Sequence, residues 1–416
     1  MVVDKGYRLF VGDLRTGRIT ADLPPASLTW GLRLNDAGPV EATVQALSLE
    51  AALLDLRANT APLKQFIGVA YNGTVLEAGP IWKRQLKPDT GALTITGAGM
   101  WSILDRRKAL PWVALRNGVR VQDVTMDLVN MTLGTIAREL VRTAIQDNLD
   151  GGLPIVLPPF LSGTHERHWP GYELHWTGEL LRNLTGVKNG PDLELRPRYV
   201  EGDRTRIEWM LNTGTEDQPL LVQLGDELLW DGSVDKSGVV GFGVTEDATD
   251  LASKVYVPGA GQERDMKIAG GYSDRLLKAG YVYTERDAAN KDVEDQSILQ
   301  DYADQLLEES LSPWTTYSIS VRADTAPALG TYWPGYMAQL VTPRYHPIMP
   351  PGRHRIRVMA LDGDDTDNVR LAIAPVLGDT GDAVGDSTTV AQPNLTPALY
   401  PGLNTFPGQN TYPSGG

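Results

Sequence analysis

Leu28, Trp30, Leu32 and Leu34 alternate with Thr29, Gly31, Arg33 and Asn35, and beyond a short break Val40, Ala42, Val44 and Ala46 alternate with Pro39, Glu41, Thr43 and Gln45. A period of two predicts a half-buried β-hairpin. Asn35-Asp36-Ala37-Gly38 supplies residues that tolerate positive φ or bond their own backbone, as a tight connection needs. Ser48 is then placed to cap a helix whose Leu49, Ala52, Leu53 and Leu56 share one face. A lone hairpin is marginal in water, and Gln65–Tyr71, Thr74–Leu86 and Ala92–Gly97 are the strands expected to complete the sheet. Residues 1–107 therefore read as a small β-barrel carrying one helix. In that register Leu32 points inward and Arg33 outward, so Arg33→Ala is expected to be nearly silent.

The period changes in the middle of the chain. Met100–Asp105 reads as a short helical corner. Thr132 opens a helix with Leu133, Ile136, Ala137, Leu140, Val141, Ala144 and Ile145 on one face and Arg138, Glu139, Arg142 and Gln146 on the other. Asp150–Pro159 and the aromatic run His165–Trp176 read as irregular loop. A second helix over Gly178–Lys188 presents Leu180, Leu181, Leu184 and Val187, and Asn189-Gly190-Pro191 stops it. Strands at Leu193–Val200 and Arg206–Leu211 make residues 108–249 an α+β middle region.

Residues 250–377 return to the first pattern. Lys254–Val257 reads as a strand and Glu285–Glu294 as a solvated acidic loop. Ser297-Ile298-Leu299-Gln300 has the form of a capping box before a helix with Leu299, Tyr302, Ala303, Leu306 and Leu307 inward. Alternation then resumes at Tyr317/Ile319/Val321, Ile356/Val358/Ala360 and Val369/Leu371/Ile373. The expectation is a mainly β protein with two barrels flanking the middle region. Residues 378–416 lose apolar periodicity and form a Pro- and Gly-rich arm.

Composition narrows the chemistry. The 416 residues carry a formal net charge of −14 and no cysteine, which disfavours clustered phosphate-backbone binding and excludes disulfides, thiolate metal sites and cysteine nucleophiles. Arg106-Arg107-Lys108 and Arg353-His354-Arg355 read as solvated turn and strand faces. Met1–Gly6 has neither the charged nor the apolar region of a signal peptide. His165-Glu166-Arg167-His168 has the wrong spacing for a zinc helix and lies beside Pro170 and Gly171. Asp362–Asn368 lacks the closing Glu of a calcium loop and reads as a hairpin turn. No nucleotide-binding, hydrolase or glycosidase motif stands out. Trp169, Tyr172 and Trp176 could stack sugars, although packing is the simpler reading.

Several short stretches carry a resemblance: Tyr7–Arg18, Leu32–Gly38, Ala78–Trp82, Gly99–Arg107, Trp176–Arg182 and Asn189–Pro191. In this succession, over about residues 5–377, the chain resembles the minor tail proteins of long-tailed phages of actinobacteria. Those are similar in turn to baseplate hub proteins, in which two tube-like barrels per chain assemble as a trimer that presents six pseudo-equivalent barrels. The resemblance implies a virion protein of the tail tip, made in the bacterial cytoplasm, that closes the tail tube and takes part in DNA ejection and host attachment. It implies no catalytic residue, cofactor or metal, and no specific nucleic-acid binding. Its partners would be two further copies of itself, the distal tail protein, the tape measure protein and further minor tail proteins. A carbohydrate-binding tail protein that contacts the host envelope through Trp169–Trp176 is the alternative, and a cell-wall hydrolase the weaker third.

Within the arm a hexapeptide recurs: Tyr400-Pro-Gly-Leu-Asn-Thr405, Phe406-Pro-Gly-Gln-Asn-Thr411, then Tyr412-Pro-Ser-Gly. Regularly spaced aromatics are unusual in a solvated linker. Tyr400, Phe406 and Tyr412 are therefore expected to bind neighbouring subunits.

Overall fold

The computed structural model describes residues 6–145, 152–187, 189–234, 237–261, 263–288, 296–311, 314–345, 347 and 351–376. The chain divides into two compact units, Met1–Gly241 with Ile319–Gly416, and Phe242–Ser318.

In chain order the first unit begins with β1 (Tyr7–Asp13), β2 (Ile19–Asp22), β3 (Ser27–Arg33), β4 (Pro39–Gln45), the short helical turns α1 (Leu49–Ala52) and α2 (Leu56–Asn59), β5 (Gln65–Tyr71), β6 (Thr74–Lys87), β7 (Ala92–Ala98) and α3 (Trp101–Leu104). It continues with α4 (Trp112–Arg116), β8 (Thr125–Met131), α5 (Leu133–Ile145), β9 (Ile155–Val156), β10 (His165–Pro170), α6 (Thr177–Thr185), β11 (Leu193–Val200), β12 (Asp203–Thr213) and β13 (Leu228–Asp231). The chain leaves this unit in β14 (Val239–Asp247). The second unit holds β15 (Lys254–Pro258), β16 (Ile268–Tyr272), α7 (Arg275–Lys278), β17 (Glu285–Asp287) and α8 (Gln296–Glu309). The chain returns in β18 (Trp314–Arg322), followed by β19 (Met337–Thr342), β20 (Gly352–Asp364) and β21 (Asn368–Pro375).

The predicted hairpin forms in the predicted register. Trp30 faces Val40 and Leu28 faces Ala42, and Leu28, Trp30, Leu32, Val40, Ala42 and Val44 are all buried. β5 is buried along its whole length, as its nearly unbroken apolar run requires.

One sheet collects strands from both ends of the chain, in the order β14-β18-β21-β20-β3-β4-β7-β6-β5-β1-β2, with β19 on β20 and β13 on β19. The stretch from β3 to β1 curls strongly, because the Tyr7 ring of β1 lies 6.1 Å from the Trp30 ring of β3. The edge of β3 away from β4 is nevertheless bonded to β20, from Ala360↔Arg33 to Asp364↔Thr29.

The two separate closed barrels expected from the pattern are therefore not formed among the described residues. The reason lies in two long strands. β6 pairs first with β5 and then with β7, and its register slips at Trp82. β20 pairs first with β19 and then with β3, and its pairing with β21 slips at Met359. An extra residue of this kind bends a strand and redirects its edge.

The middle region shares a core with the first strands. Phe10 and Phe66 of the sheet join Trp101, Ile136, Leu140, Leu181, Leu195 and Trp209 in one buried cluster. Trp209 packs edge-on against Phe66 at 5.7 Å and donates its indole N–H to the Ala78 carbonyl at 2.8 Å. Residues 1–107 and the following helices and strands thus form one body, across the boundary expected at 107. The expected 250–377 segment is split, with Ile319 onward belonging to the first unit.

Four local readings need correction. Ser48 caps α1 by accepting from the Ala51 N–H, but the helix ends at Ala52 and its apolar face turns outward. His165–Pro170 is no loop: it pairs with β8, and its mixed aromatic and charged residues hide the alternation. Glu139, placed on a polar helix face, is buried between Arg138 and Arg142. Tyr302 of α8 is 46% exposed, while Leu299, Ala303 and Leu306 face inward. The calcium-like acidic run is a hairpin turn, in which Asp364 Oδ1 accepts from the Thr366 N–H at 2.8 Å.

Candidate assembly surfaces

The motif stretches that lie far apart in sequence meet at one polar junction. Asn35 and Asp36 sit in the β3–β4 turn, and Asn35 exchanges two hydrogen bonds with Leu193, at 3.1 and 2.7 Å. Arg182 of α6 donates to Asp36 at 2.6 Å and to both oxygens of Asp105 at 2.7 and 3.0 Å. Its guanidinium also lies 5.7 Å from the Trp101 ring centre. Burial works to lower the Arg182 pKa, and the carboxylates of Asp105 and Asp36 outweigh it, holding the pKa above the ordinary arginine value. Gly178 is required one turn earlier, since a Cβ there would run into the Asp105 carboxylate.

A second junction ties the middle region to β20. Arg357 and Asp192 are both almost fully buried and form an ion pair. Arg357 also donates to the Gly335 carbonyl at 3.0 Å, and the same Asp192 oxygen accepts from the Leu221 N–H at 2.7 Å. Glu77, 6% exposed, lies with its carboxylate against Gly38 and Gly99. Burial pushes its carboxyl well above the usual carboxylate range, against the backbone N–H groups of Ala78 and Gly38 that favour the ionised form. These charged groups hold the scaffold. None of them had been marked as a site by sequence reasoning, although Asp36, Asp105 and Arg182 stand within the motif stretches.

The outer surface carries a distinct apolar feature. Leu47, Leu49 and Leu53, within seven residues of the β4–β5 connection, are 81%, 84% and 83% exposed. Burying a leucine fully contributes about 1.5–3 kcal/mol, and clustered exposed apolar side chains mark contact surfaces. The alternation rule could not find this shelf, because it assigns apolar helix faces to the core.

The aromatic segment does not form a three-ring platform. Trp169 packs against the main core, and the Lys108 amine stands 3.3 Å from the Trp176 ring centre. Tyr172 alone is widely open, at 64%. The neighbouring basic triplet is less solvated than expected, since Arg107 donates to the Ala144 carbonyl at 3.1 Å and Arg106 lies over the Trp82 ring. His168 lies on a strand, hydrogen-bonded to Asp127 at 2.7 Å. Among the described residues no cluster of three metal-ligating side chains is present, and no helix is long and apolar enough to cross a membrane. Tyr400, Phe406 and Tyr412 lie outside the described residues.

No family model matches the sequence, and no curated protein does. Solved structures do. The 43 kDa tail protein of prophage MuSo2 from Shewanella oneidensis matches 88% of this chain and 98% of its own, with a TM-score of 0.54 at 12% identity. A tail protein from Neisseria meningitidis MC58 matches 88% and 96%, with a TM-score of 0.49 at 13% identity. The prophage tail protein gp18 from Listeria monocytogenes EGD-e matches 88% and 94%, with a TM-score of 0.43 at 10% identity. The first of these establishes a shared fold, and it is the fold of a phage tail protein.

Proposed function

We propose that this chain is a structural protein of a phage tail and acts at the tail tip as its hub. The observation that carries the reading is the fold: nearly the whole length of a prophage tail protein is matched in a single superposition. The ordered motif stretches support the long-tailed phages of actinobacteria as its source.

In this reading three copies join into a ring, and the strands from the two ends of each chain supply its pseudo-equivalent halves, giving pseudo-sixfold character to a channel for DNA and the tape measure protein. A tail ring needs a surface by which copies or neighbours meet, and the leucine shelf supplies one. The arm adds a second: Tyr400, Phe406 and Tyr412 fill pockets on adjoining subunits or on the distal tail protein and further minor tail proteins. The protein works without catalytic residues, cofactor or metal.

Sedimentation of the purified full chain over a range of concentrations tests the assembly. Trimers are expected, and Leu49→Gln with Leu53→Gln should abolish them while leaving the melting temperature unchanged. Trimers that survive the pair of substitutions would remove the shelf from the interface, and a chain that stays monomeric at every concentration would count against the ring.

A further inference from the structure

The ribbon of β11 and β12 carries a row of arginines on its outer face. Leu195, Ile207, Trp209 and Leu211 are buried, so the even-numbered positions of the ribbon turn outward. Arg198 stands opposite Glu208, and Arg206 and Arg204 continue the row along β12. Arg18, just past the β1–β2 turn, stands opposite Arg206.

The charges along this row are unevenly matched. Arg196 and Arg198 have carboxylate partners at 2.7 Å, Glu194 and Glu208. Among the described residues Arg18, Arg204 and Arg206 form no ion pair. Asp13 and Asp203, in the adjoining turns, accept instead from the hydroxyls of Thr16 at 2.8 Å and Thr205 at 2.6 Å.

Two of the unpaired guanidiniums are nonetheless held in place. Arg204 donates to the Gly73 carbonyl at 2.9 Å and lies 5.2 Å from the Tyr199 ring centre. Arg206 donates to the Thr16 carbonyl at 3.1 Å. Each side chain has further N–H donors in the fork that fits a carboxylate. Arg18 and Arg206 repel each other across their bridge, and an acidic occupant would relieve that repulsion.

The sequence supplies such an occupant, and the topology brings it within reach. Residues 377–416 contain Asp379, Asp382 and Asp386, each preceded by glycine, and no Lys, Arg or His. They follow β21, whose last residue Pro375 pairs with Ile356. The adjacent Arg357 holds Asp192 at the start of β11. From Asp192 to Tyr199 the strand rises roughly 23 Å, and the chain from Val376 to Asp386 spans up to about 33 Å when extended. A tether of this length keeps its carboxylates at high effective concentration, so individually weak surface pairs suffice. A phosphate polymer fits less well, because its closely spaced charges would meet Glu208 within the row.

We propose that the start of the C-terminal arm, Gly378–Asp386, lies along the β11–β12 ribbon of its own chain, with Asp382 on Arg206 and Asp386 on Arg204. The remaining residues, including the aromatic repeat, then leave from a fixed point. The contact does not depend on where in a tail the chain sits.

The absence of cysteine permits a direct test by pulsed electron spin resonance of the full chain, spin-labelled at Thr20→Cys and Ser387→Cys. A short, narrow distance is expected at low salt, lengthening and broadening in molar salt. Arg204→Glu with Arg206→Glu should release the arm without changing the melting temperature. Asp382→Asn with Asp386→Asn should release it with the arginines intact. Adding Asp382→Arg and Asp386→Arg to the two glutamate substitutions should restore the short distance. A broad distribution in the parent, a short distance that survives either pair of substitutions, or a charge swap that restores nothing would overturn the proposal. Loss of the short distance on dilution with unlabelled chain would do so too, by placing the arm on another copy. A heparin tetrasaccharide bound through Arg204 and Arg206 while the label distance stays broad would assign the row to a polyanion instead.

Discussion

The two charged junctions of the first unit use the same chemistry in opposite surroundings. Arg357 and Asp192 are 2% and 1% exposed at the side chain, whereas Arg182, Asp36 and Asp105 are 34%, 31% and 32% exposed. A buried pair is held in place because either charge alone would be stranded, and removing one partner is costly even where the pair itself adds little. A half-open cluster keeps part of its hydration, so each contact contributes less and yields to salt. The buried pair therefore locks β20 to the middle region, and the open one tunes how the β3–β4 turn, α3 and α6 meet.

The largest effect should come from Arg357→Met, which leaves Asp192 uncompensated and is expected to lower the unfolding free energy by about 3–5 kcal/mol in urea. Adding Asp192→Leu should recover much of that loss, and a double variant as unstable as the single would show that packing rather than charge was removed. Leu32→Ala provides an apolar yardstick at about 2–5 kcal/mol. Arg33→Ala should now be visible as well, at up to about 1 kcal/mol, because the Arg33 guanidinium pairs with Asp362 at 2.6 Å and donates to the Leu361 carbonyl at 3.0 Å. Arg182→Ala is expected to cost about 1–2 kcal/mol. Raising the salt to molar concentration should shrink the Arg182 effect but not that of Arg357, and equal salt dependence would erase the distinction between the junctions.

Glu77 gives the smallest and most pH-specific signal. Its folded pKa is raised by burial, so the fold favours the protonated carboxyl. Its contribution is fully present below the unfolded value of about 4.3 and is lost as pH rises from there through the folded value. Glu77→Gln should therefore match the parent in acid and equal or exceed its stability at neutral pH, as read from melting curves across the pH range. A variant less stable at pH 7 than at pH 4, relative to the parent, would show that the ionised carboxylate is favoured inside.

Local pattern carried much of this fold. The continuous apolar run of β5 and the strict alternation of β3 and β4 can satisfy their side chains in only one way, so strand bounds and buried faces followed directly. Thr132 and the leucines of α5 did the same for the long helix. Pairings across the chain were invisible, because nothing near Arg33 announces Ala360 more than three hundred residues later. The bulges at Trp82 and Met359 alter the pattern by a single residue, yet they turn two expected barrels into one continuous sheet. Sites were harder still. Leu49 and Leu53 look like core in any helical wheel, and only the structure shows that they stand exposed among the described residues. Asp192 is an ordinary acidic residue after a Gly-Pro break until Arg357 is brought to it.

The central claim is that this chain forms a ring at the end of a phage tail. Cryo-electron microscopy of the assembled particle, with this chain located in the density, tests it most directly. Three copies at the distal end of the tail tube, arranged with pseudo-sixfold character and with Leu47, Leu49 and Leu53 buried between chains, is the predicted result. A ring of six chains, a single copy standing alone, or no copy in the tail would contradict it.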